Sequence, residues 1–168
     1  MIAMVHPGPG SRTRELLREL YGPSTSRYEH QRDPHLIAAW DPFEPDPATG
    51  EATLDDLAAH LNRPVDVSPY PLRRHVWHCT VLTARHDRVL TDTTWAQIAA
   101  RLLDAAGIAP FGDLFACRWI ALRHARDHIH LIATLARQDG RRPNLHGNWY
   151  RMRDTCDLIE AQLGLGAV

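Results

Sequence analysis

Two apolar runs, residues 117–124 and 128–136, stand only three residues apart, and that spacing constrains the fold more than any other feature of the chain. A parallel pair needs a crossover of a dozen residues or more, so a connection this short demands an antiparallel hairpin. A third strand is expected over 75–83, where Trp77, Cys79 and Val81 alternate with Val76, His78, Thr80 and Leu82. Residues 1–5 read as a short fourth. Helices are expected around these strands. The stretch 12–21 carries Leu16, Leu17 and Leu20 at helical spacing and stops at Gly22-Pro23. Asp33-Pro34 reads as an N-cap followed by proline at the first helical position, which predicts a helix over 35–40. Thr53-Leu54-Asp55-Asp56 opens another, running to about Leu61. Over 91–106, Trp95, Ile98, Ala99, Leu102, Leu103 and Ala106 share one face, with Gly107 just beyond. A last helix over 149–163 is expected to be capped by Asn148 and ended by Gly164. Segments 41–52, rich in proline and acid, and 62–74, with three prolines and no period, read as loops. Strands and helices mix without βαβ alternation, so the expected class is α+β: a small antiparallel sheet with helices packed on it, in a single domain over 1–168.

Composition narrows the function classes. A chain of 168 residues with 44% hydrophobic and 23% charged residues can bury one core and is not disordered by composition. No apolar run approaches the roughly 20 residues that span a bilayer, and no basic leader precedes an apolar segment, so a cytoplasmic protein without membrane insertion is expected. Cys79, Cys117 and Cys156 form no CxxC pair, which argues against a disulfide framework or a zinc–thiolate site. All 19 basic residues are arginine, which reads as genome composition rather than function. With a net charge of −1, attraction to nucleic acid must come from a local basic surface.

The 11 histidines are the chemical signal, and three of them fall around the hairpin loop. His128 and His130, two apart on a strand, point to the same side. A three-residue loop sets His124 opposite His128, so three imidazoles converge on one face while Ile129, Leu131, Ala133 and Leu135 supply core on the other. Three neutral imidazoles on a rigid sheet can hold a divalent cation and leave positions open for a substrate. Asp127 is placed to orient one of the rings from behind.

His128-Ile129-His130 resembles the His-hydrophobe-His element of the HUH endonucleases. With the flanks 117–123 and 131–143, the stretches Glu29-His30 and 33–41, and Val76-Trp77-His78-Cys79, the chain is similar over nearly its whole length to actinobacterial relaxases, the mobilisation nucleases of conjugative elements. The resemblance implies a relaxase-like HUH fold in which His124, His128 and His130 hold a divalent ion, magnesium or manganese. It implies site- and strand-specific nicking of single-stranded DNA at a transfer origin, with accessory mobilisation proteins as partners. In that chemistry the ion polarises the scissile phosphate and a tyrosine hydroxyl attacks it, leaving a 5′-phosphotyrosyl linkage and a free 3′-hydroxyl that can be rejoined.

The same resemblance puts the attacking tyrosine where this chain has Glu19, in Leu16-Leu17-Arg18-Glu19-Leu20-Tyr21-Gly22-Pro23. Tyr21 is two positions on, about 200° around a helix, and reaches the same site only if the helix has already ended. Tyr21 as nucleophile, Tyr28 in its place, and a relaxase-derived module that binds DNA without covalent nicking all remain open, with Tyr21 the expected choice. His78 matches the histidine of the family's strand motif, with a role in positioning phosphate or nucleophile, or simply as a packed ring. Arg137, Arg141 and Arg142, followed by Trp149, Tyr150, Arg151 and Arg153, form the expected DNA-facing group. A two-histidine phosphoesterase would need a second motif like His78-Cys79-Thr80, and His128-Ile129-His130 does not supply it.

Overall fold

The computed structural model describes residues 1–7, 10–22, 33–42 and 44–166. Five strands, β1 (Ile2–Val5), β2 (His35–Ala39), β3 (Val76–Leu82), β4 (Cys117–Arg123) and β5 (His128–Arg137), form one sheet in the order β1-β3-β5-β4-β2. Every pairing is antiparallel, and β5 lies at the centre. Four α-helices complete the α+β fold: α1 (Thr13–Tyr21), α2 (Leu54–Asp66), α3 (Asp92–Ala106) and α4 (Asn148–Leu163). No helix among the described residues is long and apolar enough to cross a membrane.

The sheet is covered on both faces, which is why its strands carry more apolar residues than one core face requires. On one face Trp77, Cys79, Val81, Ile129, Leu131 and Ala133 pack against Trp95, Ile98, Leu102 and Leu103 of α3 and Met152, Cys156 and Ile159 of α4. On the other, Val76, Ile120, Leu122 and Ile132 meet Leu17 and Leu20 of α1 and Leu57 and Leu61 of α2. The hydroxyl of Thr13 donates to Asn62 Oδ1 at 2.6 Å and ties the start of α1 to α2. The second face is thus divided between an apolar half and the histidines.

Three local expectations are corrected. Residues 35–39 are a strand, not a helix. They complete the edge of β4, with His35 opposite Arg123 and Leu36 opposite Leu122. Leu36 and Ala39 pack into the α1–α2 core while Ile37 and Ala38 pack into the other, so a bulge at this point feeds both layers. Proline before a strand is as acceptable as proline opening a helix, and an unpaired sheet edge decided between them. Secondly, 62–74 is not wholly a loop, because α2 continues to Asp66 with Pro64 buried inside it. Proline cannot donate to the carbonyl four residues back. Here that carbonyl, on His60, accepts from Arg118 Nη1 at 2.5 Å, so the lost helical bond is replaced from β4. Lastly, Asn148 is the first helical residue of α4 rather than its cap. Gly147, at φ +65°, takes the cap position without a side-chain bond.

The remaining helix signals hold. Thr53 and Asp56 form a reciprocal capping box, Thr91 caps α3, and Gly107 ends α3 with φ +75°. A side chain on Gly107 would also overlap the Asn144 carbonyl oxygen. Gly107→Ala is therefore expected to cost on the order of 1–3 kcal/mol, read as a lower urea midpoint with an unchanged slope.

Candidate metal centre

Pairing of Leu122 with His130 and of Arg123 with Ile129 sets the register of the β4–β5 hairpin. One step further, His124 leaves β4 facing His128, the first residue of β5. Strand alternation then carries His130 to the same face. His124 and His130 are buried and His128 is half-buried. Their ring centroids lie 5.1–5.4 Å apart, and one nitrogen from each falls within 4.8 Å of the other two. His124 Nδ1 and His130 Nε2 are 3.0 Å apart. A buried histidine triad of this geometry could hold a metal ion.

The surrounding groups suit that use. His128 Nδ1 stands 3.0 Å from Asp127 Oδ1, so with the proton on Nδ1 its Nε2 keeps the lone pair. His130 Nδ1 lies 2.9 Å from His78 Nε2 and 3.2 Å from Thr80 Oγ1. A proton on Nδ1, donated to His78, leaves His130 Nε2 directed at His124 as a ligand. The imidazoles must be neutral for this, and burial favours the neutral form of His130 and of His78 behind it. Burial first, then the neighbouring histidines, push the His130 pKa down to about 2. Burial and His6 push His78 down to about 3. Neutral imidazole is the ligating form of histidine.

One member of this cluster, His6, lies outside the sequence expectations. His6 stacks on His78, with centroids 3.9 Å apart and planes 2° from parallel, and its Nε2 lies 2.9 Å from Thr80 Oγ1. The alternation of Ile2, Met4 and His6 was the available signal. It acquires meaning only once β1 is known to pair with β3. Together with Leu16, Glu19 and Leu20 of α1, these histidines line a cavity of about 270 Å³.

His78, Asp127, His124, His128 and His130 are therefore brought together, and the other expected site residues among the described ones are not. Tyr21 does not line the cavity. Tyr21 is the last residue of α1 and still helical, so the half-turn of rotation from Glu19 is realised, and its hydroxyl donates to Asp46 Oδ1 at 3.1 Å. Burial, and then Asp46, raise the Tyr21 pKa above that of a free phenol. Tyr28 lies outside the described residues. Arg137 is held between Asp113 and Asp139, and Arg141 also reaches Asp139. They sit at the far end of β5, nine residues from His128, which is roughly 30 Å along an extended strand. Arg142 is exposed just beyond. A phosphate bound at these arginines is not the one facing the histidines.

His78→Ala is expected to weaken manganese binding about 10–100-fold, the usual effect of removing the partner that orients a ligand. Competition against a fluorescent chelator reads the affinity, and an unchanged far-ultraviolet circular dichroism spectrum shows that the fold persists. Comparison of the chain with family models, with curated proteins and with solved structures finds no match.

Proposed function

We propose that the chain is a metal-dependent enzyme that cleaves single-stranded DNA at the three-histidine centre, the chemistry implied by its resemblance to relaxases. The observation that carries this reading is the convergence of His124, His128 and His130 in an open cavity, with the rear nitrogens of two of them engaged by Asp127 and His78. A divalent ion there, magnesium or manganese, supplies positive charge to the non-bridging oxygens of a phosphodiester. Asp127 fixes the tautomer of His128. His78 fixes that of His130. Packing of Leu17 and Leu20 against α2 and the sheet holds α1 as one wall of the cavity. In the cell, the substrate is a strand at a transfer origin, met in the cytoplasm with accessory mobilisation proteins.

A second reading, a DNA-binding module without covalent nicking, draws support from the bond between Tyr21 and Asp46. For Tyr21 to attack at the histidines, that bond must break and the last turn of α1 must unwind. Incubation of end-labelled single-stranded oligonucleotides with the protein and manganese separates the readings. Cleavage that disappears on chelation is the expected result. Binding without cleavage favours the module.

A further inference from the structure

The cavity contains a carboxylate where a tyrosine was expected. α1 turns Leu16, Glu19 and Leu20 towards the histidines at the i, i+3, i+4 spacing of one helical face. Leu17, with none of its surface exposed, and Leu20, at 5%, are locked into the α1–α2 core, so the rotation of this helix is fixed by packing. Among the described residues, Glu19 is the only carboxylate lining the cavity. The described contacts of the imidazoles in this cavity are with one another and with Thr80: His6 Nε2 with Thr80, His78 Nε2 with His130, and His130 Nε2 with His124. Glu19 takes no part in these contacts. The Tyr21 hydroxyl, meanwhile, is bound to Asp46 away from this wall. The centre thus offers a proton acceptor to an incoming water and, among the described residues, no phenol.

We infer that Glu19 is the general base of a hydrolytic reaction, and that a strand cleaved at this centre is released rather than linked to the protein. The inference rests on the proposed function. A water oxygen bonds to phosphorus as the P–O3′ bond breaks. The water proton passes to the Glu19 carboxylate and on to solvent, and the departing 3′ oxygen takes a proton from solvent. The products are a 5′-phosphate and a 3′-hydroxyl. Because no phosphotyrosyl bond stores the energy of the diester, rejoining is not available to this enzyme.

The test uses the full chain with manganese and a single-stranded oligonucleotide in ¹⁸O-labelled water, comparing wild type with Glu19→Gln. Mass spectrometry of the wild-type products is expected to show one ¹⁸O atom in the new 5′-phosphate and no protein–DNA adduct. Glu19→Gln is expected to slow cleavage by about 10²–10⁴-fold, the usual contribution of a positioned base. Its manganese affinity by calorimetry and its oligonucleotide affinity by fluorescence anisotropy should stay within about twofold of wild type, as expected for a base that is neither ligand nor DNA anchor. An adduct on Tyr21 or Tyr28 would overturn the inference while leaving the proposed function intact. So would unslowed cleavage by Glu19→Gln, or a tenfold loss of manganese affinity, which would make Glu19 a ligand. Absence of cleavage by the wild-type protein, with manganese bound, would overturn the proposed function itself.

Discussion

Replacing His128 and His130 together with alanine is expected to abolish manganese binding in a calorimetric titration and, with it, all strand cleavage. Three donors converge at the centre, and loss of two leaves His124, a single imidazole with no chelate partner. The effect should far exceed that of His78→Ala, which removes only an orienting contact. Because His130 is 8% exposed and sits in the sheet, the double variant also loses packing. A companion His128→Ala variant guards against misreading a folding defect. His128 lies at the open end of the strand, and its loss alone should cost most of the affinity while leaving the unfolding transition in place. Equal manganese affinity in wild type and the double variant would remove the triad from the account.

Acid is expected to unfold the metal-free protein earlier than its carboxylates alone would require. His78 and His130 are held neutral when folded, with pKa values of about 3 and about 2, and regain ordinary basicity when unfolded. Their folded pKa values lie below the unfolded one, so the unfolded chain takes up protons that the folded chain refuses. Their contribution to stability is complete above about pH 6.5, the unfolded histidine value, and falls as the pH drops towards 3. Each such imidazole contributes a slope of about 1.4 kcal/mol per pH unit within that window. Urea unfolding in the presence of a chelator, measured between pH 7 and pH 4, should show stability falling steeply with acid. His78→Gln should remove a substantial part of the slope. A stability profile flat from pH 7 to pH 4 would show that the two rings are not held neutral by burial.

The legible parts of the molecule were those whose partners are close in sequence. The triad could be read because a loop of three residues and a period of two fix where His124, His128 and His130 point. Helices α1 and α3 could be read because their stop signals and apolar faces are local. What escaped depends on distant partners. Residues 35–39 became a strand because β4, more than 80 residues later, offered an open edge. Pro64 stays inside α2 because Arg118 replaces its missing hydrogen bond. His6 enters the site only through the pairing of β1 with β3. The arginines near 140 show the opposite failure. They follow the histidine-bearing strand in sequence, yet β5 is extended and carries them to the other end of the sheet. Nearness in sequence is nearness in space only across a turn.

The placement of Glu19 was partly legible. Its departure from the relaxase pattern was visible in the sequence, and so was the half-turn separating it from Tyr21. What the sequence lacked was the rotation of α1 about its axis. Leu17 and Leu20 determine that rotation by packing against Leu57 and Leu61, and it sets Glu19, itself exposed, among the residues lining the cavity and leaves Tyr21 with Asp46.

The most direct test of the central claim is anomalous diffraction at the manganese edge from crystals grown with manganese. The expected result is an anomalous peak enclosed by His124, His128 and His130, with Asp127 still bonded to His128 and His78 still bonded to His130. A map with no peak among these three imidazoles, or with manganese bound only elsewhere on the chain, would contradict it.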